Sequence, residues 1–167
     1  MTVSLYLSGG YNGDLYAYLR HGTDFAVLLN RAGRTASDVF GYSDSGFQIT
    51  LDDTAANPDV HNYQLTFNPA GGVLTGTWQA DGRNVPPAGS FDNSPRTAGL
   101  GVFNTHDANG DWTLFLADVS PVGTARLDSW TLNVTGVVPE PTAYGLAMGA
   151  TALRVCLWRL LPSPQAG

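Results

Sequence analysis

The chain has 167 residues, enough for one domain of ordinary size and a short tail, with 43% hydrophobic and only 13% charged residues. It contains no lysine, and residues 1–138 carry six Arg and 13 Asp, a formal charge of −7. An acidic body without a basic patch excludes nucleic acid as a partner. Twenty Gly, ten Pro and a near-absence of Glu favour turns and strands over helices.

Alternating and β-rich runs predict strands near 2–8, 14–20, 25–30, 46–51, 62–67, 73–79, 100–104, 111–117 and 126–135. Turn clusters separate them, among them Ser8–Gly13, Asp52–Pro58, Asn68–Gly72 and Asp107–Gly110. No part of the body keeps a 3.6-residue period. Eight or nine short strands at this spacing imply an all-β, jelly-roll-like sandwich over residues 1–137. Residues 81–99, with Pro86, Pro87, Gly89 and Pro95, form the longest irregular stretch and a candidate binding loop.

The chemistry-bearing residues are few. Gly41-Tyr42-Ser43-Asp44-Ser45-Gly46 has the outline of a serine-nucleophile motif, but no helix follows, so it reads as a polar turn. His21, His61 and His106 lack metal-ligand spacing and read as surface or turn histidines. Calcium is the one cofactor the residues bring forward, because Asp107, Asn109 and Asp111 place oxygen side chains at alternating positions. A hydrogen-bonded turn explains the same residues, and both readings stay open. Asp52 and Asp53 form a further acidic pair, and Asp14 opens a strand. Tyr16 and Tyr18 share a face opposite Leu15 and Leu19, so a core on the leucine side leaves two aromatic rings available to a sugar or a protein.

Two stretches resemble the P domain (P/Homo B) that follows the catalytic domain in subtilisin-like proprotein convertases. The first runs from Gly13-Asp14-Leu15 through the paired Leu28-Leu29 to Arg31. The second contains Asn109-Gly110-Asp111-Trp112-Thr113-Leu114 and closes with Gly123-Thr124 and Ser129-Trp130-Thr131-Leu132. The resemblance covers about residues 1–135, implies a jelly-roll sandwich, and raises the reading of an accessory module whose protease lies elsewhere. Independently of it, Trp112, Leu114 and Leu116 alternate, as do Trp130, Leu132 and Val134, and each set directs one face to a core.

Residues 138–167 have a different character. Val138-Pro139-Glu140-Pro141 precedes an uncharged run, Thr142–Leu153, with Gly145 and Gly149 at small-xxx-small spacing, and then Arg154 and Arg159. Twelve uncharged residues fall short of the roughly 20 that span a bilayer, so this helical tail is expected to be a weak or transient membrane anchor. The order resembles the PEP-CTERM sorting signal of Gram-negative bacteria. That resemblance implies export, processing by an exosortase, and a place in the envelope or outside the cell, often beside extracellular polysaccharide. Met1–Leu7 lacks the basic start and cleavage site of a leader, so an exported protein is expected to have further sequence upstream. The expected function is a non-enzymatic, structural or adhesive module with surface proteins or polysaccharide as partners. An accessory P domain and a carbohydrate-binding module are the alternatives.

Overall fold

A computed structural model of the chain describes residues 1–136. The residues read from the sequence as a sorting motif (Val138, Pro139, Glu140, Pro141) and as a membrane tail (Gly145, Gly149, Arg154, Arg159) lie outside them. The compact body spans Met1–Thr135. No helix among the described residues is long and apolar enough to cross a membrane.

The body is all-β. Its strands are β1 (Thr2–Gly9), β2 (Leu15–His21), β3 (Asp24–Asn30), β4 (Phe47–Leu51), β5 (Leu74–Trp78), β6 (Trp112–Asp118) and β7 (Ala125–Asn133). They form a four-stranded sheet, β5-β4-β1-β7, and a three-stranded sheet, β3-β2-β6. Every pairing is antiparallel except β4–β5, which is parallel and needs the long crossover through residues 52–73. One core joins the two sheets. Val3, Leu5 and Leu7 of β1 and Phe47, Ile49 and Leu51 of β4 meet Leu15, Ala17 and Leu19 of β2 and Ala26 and Leu28 of β3. The period-2 alternation on β1, β2 and β4 places these side chains on one face of each strand.

Among the described residues seven strands are present, not eight or nine. The runs predicted at 62–67 and 100–104 are 3-10 turns, Val60–Leu65 and Leu100–Phe103. In each case a carboxylate binds a backbone amide at or near the start of the turn. Asp59 Oδ1 accepts from His61 N at 3.1 Å, and Asp53 Oδ2 accepts from Gly101 N at 2.8 Å.

The irregular stretch 81–99 is packed rather than free. Asp81 N and Gly82 N donate to Leu28 O and Val27 O, and Val27 N donates to Ala98 O. These segments therefore cover the outer edge of β3, whose last five residues are all buried. An exposed edge strand invites unwanted pairing, and this loop closes it.

The connections β1–β2, β3–β4 and β6–β7 gather at one end of the sandwich because their strands alternate in direction. Asn12 N donates to Asp44 O, Gly13 N to Tyr42 O and Val119 N to Asp14 O, so the three loops are tied together by backbone bonds. The opposite end carries the β2–β3 hairpin and residues 104–111.

Candidate functional site

Four polar or aromatic constellations stand out, and they differ in what they can reach.

The first is the aromatic face anticipated at Tyr16 and Tyr18. Both point away from the core on β2, while Leu15 and Leu19 are fully buried. The structure adds two rings from neighbouring strands that the sequence did not assign. The Tyr18 ring stacks on Phe115 at 4.8 Å and 12°, lies 4.8 Å from Phe25, and is 6.0 Å from Tyr16. Register explains the match, since Tyr18 sits opposite Phe115 across the β2–β6 pair. The four rings form a half-exposed strip on the outer face of the three-stranded sheet. Burial against this strip raises the Tyr16 pKa above the usual phenol value, with the Tyr18 ring adding to it.

The second is the loop proposed for calcium. Asp107 Oδ1 accepts from Asn109 N at 2.9 Å and from Asn109 Nδ2 at 2.7 Å, which is an Asx-type turn. His21 reaches the loop from β2. Its Nδ1 lies 3.0 Å from Asp111 O and its Nε2 2.8 Å from Asp107 O, while its ring stacks on Trp112 at 4.1 Å. The hydrogen bonds to the Asp111 and Asp107 carbonyls raise the His21 pKa above the ordinary histidine value. Two carbonyls and one carboxylate oxygen of this loop are thus already engaged in hydrogen bonds. Among the described residues no three His, Cys, Asp or Glu side chains converge to hold a metal. The other acidic pair also divides: Asp52 Oδ1 accepts from Thr54 N and Oγ1, which lowers its pKa, while Asp53 serves Gly101.

The third was missed in the sequence. His61, read as a surface or turn residue, is fully buried, and so is Asp81. His61 Nδ1 lies 3.1 Å from Asp81 Oδ2 and from Asn30 O, and its Nε2 is 3.0 Å from Arg34 O. Arg83, 2% exposed, donates through Nη1 to Asp59 Oδ1 at 2.7 Å and to Asp81 Oδ1 at 3.3 Å, and through Nε and Nη2 to the carbonyls of Phe91 and Asp92. Ser90 Oγ donates to Asn30 O. A histidine paired with an aspartate can orient a catalytic ring, but here the second nitrogen meets a backbone carbonyl rather than a hydroxyl, and no solvent reaches it. The cluster stitches loop 81–98 to β3 and to the turn after Asp59. His21 is also buried, whereas His106 is exposed and pairs with Asp24.

The serine-like segment is likewise structural. Asp44, 1% exposed, accepts from Tyr63 Oη at 2.7 Å, Gln64 Nε2 at 2.5 Å and Gly71 N at 2.7 Å, and it leads into β4 rather than into a helix. Burial and the Asp44 carboxylate push the Tyr63 phenol far above its usual range.

The fourth is a cleft of about 310 Å³ at the loop end, lined by Tyr11, Asp14, Phe40, Gly41, Tyr42, Ser43, Ser120 and Val122. Its walls are fixed by close backbone approach. A Cβ on Gly13 would meet Phe40 O at 2.3 Å, and a Cβ on Gly33, at φ 78°, would meet the Tyr42 ring at 2.3 Å. Phe40 is 73% exposed and Val122 60%, so the rim is apolar and open. Asp14 is 4% exposed. Its carboxylate faces Arg31 Nη2 at 3.5 Å, with the Ser120 hydroxyl beside it. Burial raises the Asp14 pKa; Arg31 opposes this and Asp118 adds to it. Arg31 itself donates to Gly13 O at 2.9 Å and holds a left-handed backbone, φ 56°. The sequence offered no signal for this cleft, because its residues come from three loops up to 111 positions apart.

Comparison with protein-family models, with curated proteins and with solved structures finds no match for this chain.

Proposed function

We propose that this chain is a non-enzymatic, exported β-sandwich module, structural or adhesive, sorted to the cell envelope or extracellular matrix by its C-terminal tail. The single observation that carries the binding role is the aromatic strip of Tyr16, Tyr18, Phe25 and Phe115 on the outer sheet face. Flat, half-exposed rings on a rigid sheet stack on sugar faces at little entropic cost. The PEP-CTERM-like tail supports extracellular polysaccharide as the partner and an exosortase as the processing enzyme. The two-sheet arrangement and the Trp112 and Trp130 strands support a jelly-roll-like fold of the P-domain kind. Retention of the full chain on insoluble extracellular polysaccharide tests the reading. Wild type is retained, and Tyr18→Ala and Phe115→Ala are each released in the wash. Equal retention of all three overturns it.

One observation favours a second reading, the accessory domain of a secreted subtilisin-like protease. The inward-facing Trp112, Leu114, Leu116, Trp130 and Leu132 of β6 and β7 remain only partly buried. Such a flank gains from a covering neighbour. Reading the genomic sequence upstream of Met1 separates the two. A segment with Asp, His and Ser protease motifs supports the accessory domain; a leader alone supports the free-standing module.

A further inference from the structure

The loop-end cleft holds a buried carboxylate, Asp14, whose partners are the Ser120 hydroxyl and the Arg31 guanidinium. The Asp14 side chain is 5% exposed, yet its cation partner, Arg31 Nη2, stands at 3.5 Å, beyond the range of a strong charge-assisted hydrogen bond. Arg31 is divided among Asp14, the Gly13 carbonyl and the Val39 carbonyl. Asp118, whose Oδ1 accepts from Ser120 N at 3.2 Å, adds a second negative charge near the same floor. Two carboxylates thus share the floor with the Arg31 guanidinium, and the Arg34 charge acts on Arg31 from nearby. Above them stand Tyr11, 42% exposed, with Phe40 and Tyr42. Aromatic faces carry negative potential and attract cations, and the acidic body with no lysine reinforces it.

We propose that this cleft binds an organic ammonium, a protonated or quaternary amine on a compact carbon frame. Its charge meets Asp14 and its carbon atoms pack against Tyr11, Phe40 and Tyr42. The frame can be a sugar, as in an amino-sugar residue of a polysaccharide, or a free alkylammonium. The site lies on different residues from the aromatic strip, so it stands or falls separately from the glycan reading above.

Isothermal titration of the full chain with glucosamine, choline, N-acetylglucosamine and glucose tests it, with amide chemical shifts locating the site. Glucosamine, choline or both bind, the neutral sugars bind roughly tenfold more weakly or worse, and shifts concentrate at 11–14, 40–43 and 120–122. Glucosamine binding without choline identifies a sugar-borne amine; choline binding as well identifies the ammonium group itself. Asp14→Asn removes the preference for the cation. Phe40→Ala, at an exposed rim position, weakens binding in a protein whose circular dichroism is unchanged. Equal binding of neutral sugars, cation binding undiminished in Asp14→Asn, or no binding at this cleft overturns the proposal.

Discussion

Two buried aspartates in this domain live under opposite conditions. Asp81 is fully enclosed, and its two oxygens meet His61, Arg83 and the Asn30 amide. Asp14 is nearly as buried, but it faces a cleft with one guanidinium at 3.5 Å and the Ser120 hydroxyl, and burial raises its pKa. Both carboxylates were removed from water, and the first is the more fully compensated by hydrogen bonds. Around Asp81 the Asn30 Oδ1 atom alone lacks a partner among the described residues, and a cluster bonded this densely rigidifies a fold, whereas a less compensated carboxylate beside open space is where we propose that a ligand completes the set.

The largest way to break the comparison is Arg83→Ala. It strands Asp59 and Asp81 together in a dry interior, and removing one member of such a group costs about 3–5 kcal/mol. Urea unfolding is expected to show that loss together with release of loop 81–98, visible as faster amide exchange at Val27, Asp81 and Gly82. Full protection at these amides would show that backbone pairing alone holds the loop.

Gly13→Ala comes next. The new Cβ meets Phe40 O and the Gly41 and Tyr42 backbone, which cannot swing aside as a side-chain end could. Overpacking of this kind costs about 1–3 kcal/mol. The cleft wall moves with it, so ligand shifts at 40–43 should vanish while those of the β2–β6 strip persist.

A smaller effect separates the two ends of the sandwich by pH. The folded-state pKa of His21 lies above its unfolded value near 6.5. Its stabilisation is therefore fully present below that value and is lost as pH rises through the folded pKa. Melting temperature should fall across this interval, and His21→Gln should flatten the slope. A slope unchanged in His21→Gln would assign the pH response to another group.

Much of this fold was legible in the sequence because alternation is a local signal. Leu15, Ala17 and Leu19, or Trp112, Leu114 and Leu116, announce their buried face over five residues. The same logic paired Tyr16 with Tyr18. It failed at 62–67 and 100–104, where Asp59 binds the His61 amide just before the first run and Asp53 binds the Gly101 amide within the second. It failed again at His61, whose neighbours Asn30, Asp81 and Arg34 lie 20 to 31 positions away. Polar residues buried by tertiary contacts look like surface residues one at a time. The Asp81-Gly82-Arg83 spacing, at the start of the irregular stretch, was the available hint that the stretch was tethered. The cleft had none, since its aromatic rim and its carboxylate meet only after three loops converge.

The central claim is that Asp14 is held for binding and Asp81 for folding. Urea unfolding of Asp14→Asn and Asp81→Asn side by side at pH 7 tests it most directly. Asp14 has a raised folded-state pKa, so its ionised form disfavours folding at neutral pH, and a neutral side chain of the same shape should leave stability unchanged or slightly higher. Asp81→Asn turns an acceptor towards Arg83 and His61 into an amide and should cost about 2–3 kcal/mol. Equal losses in the two variants would contradict the account and make Asp14 one more structural aspartate.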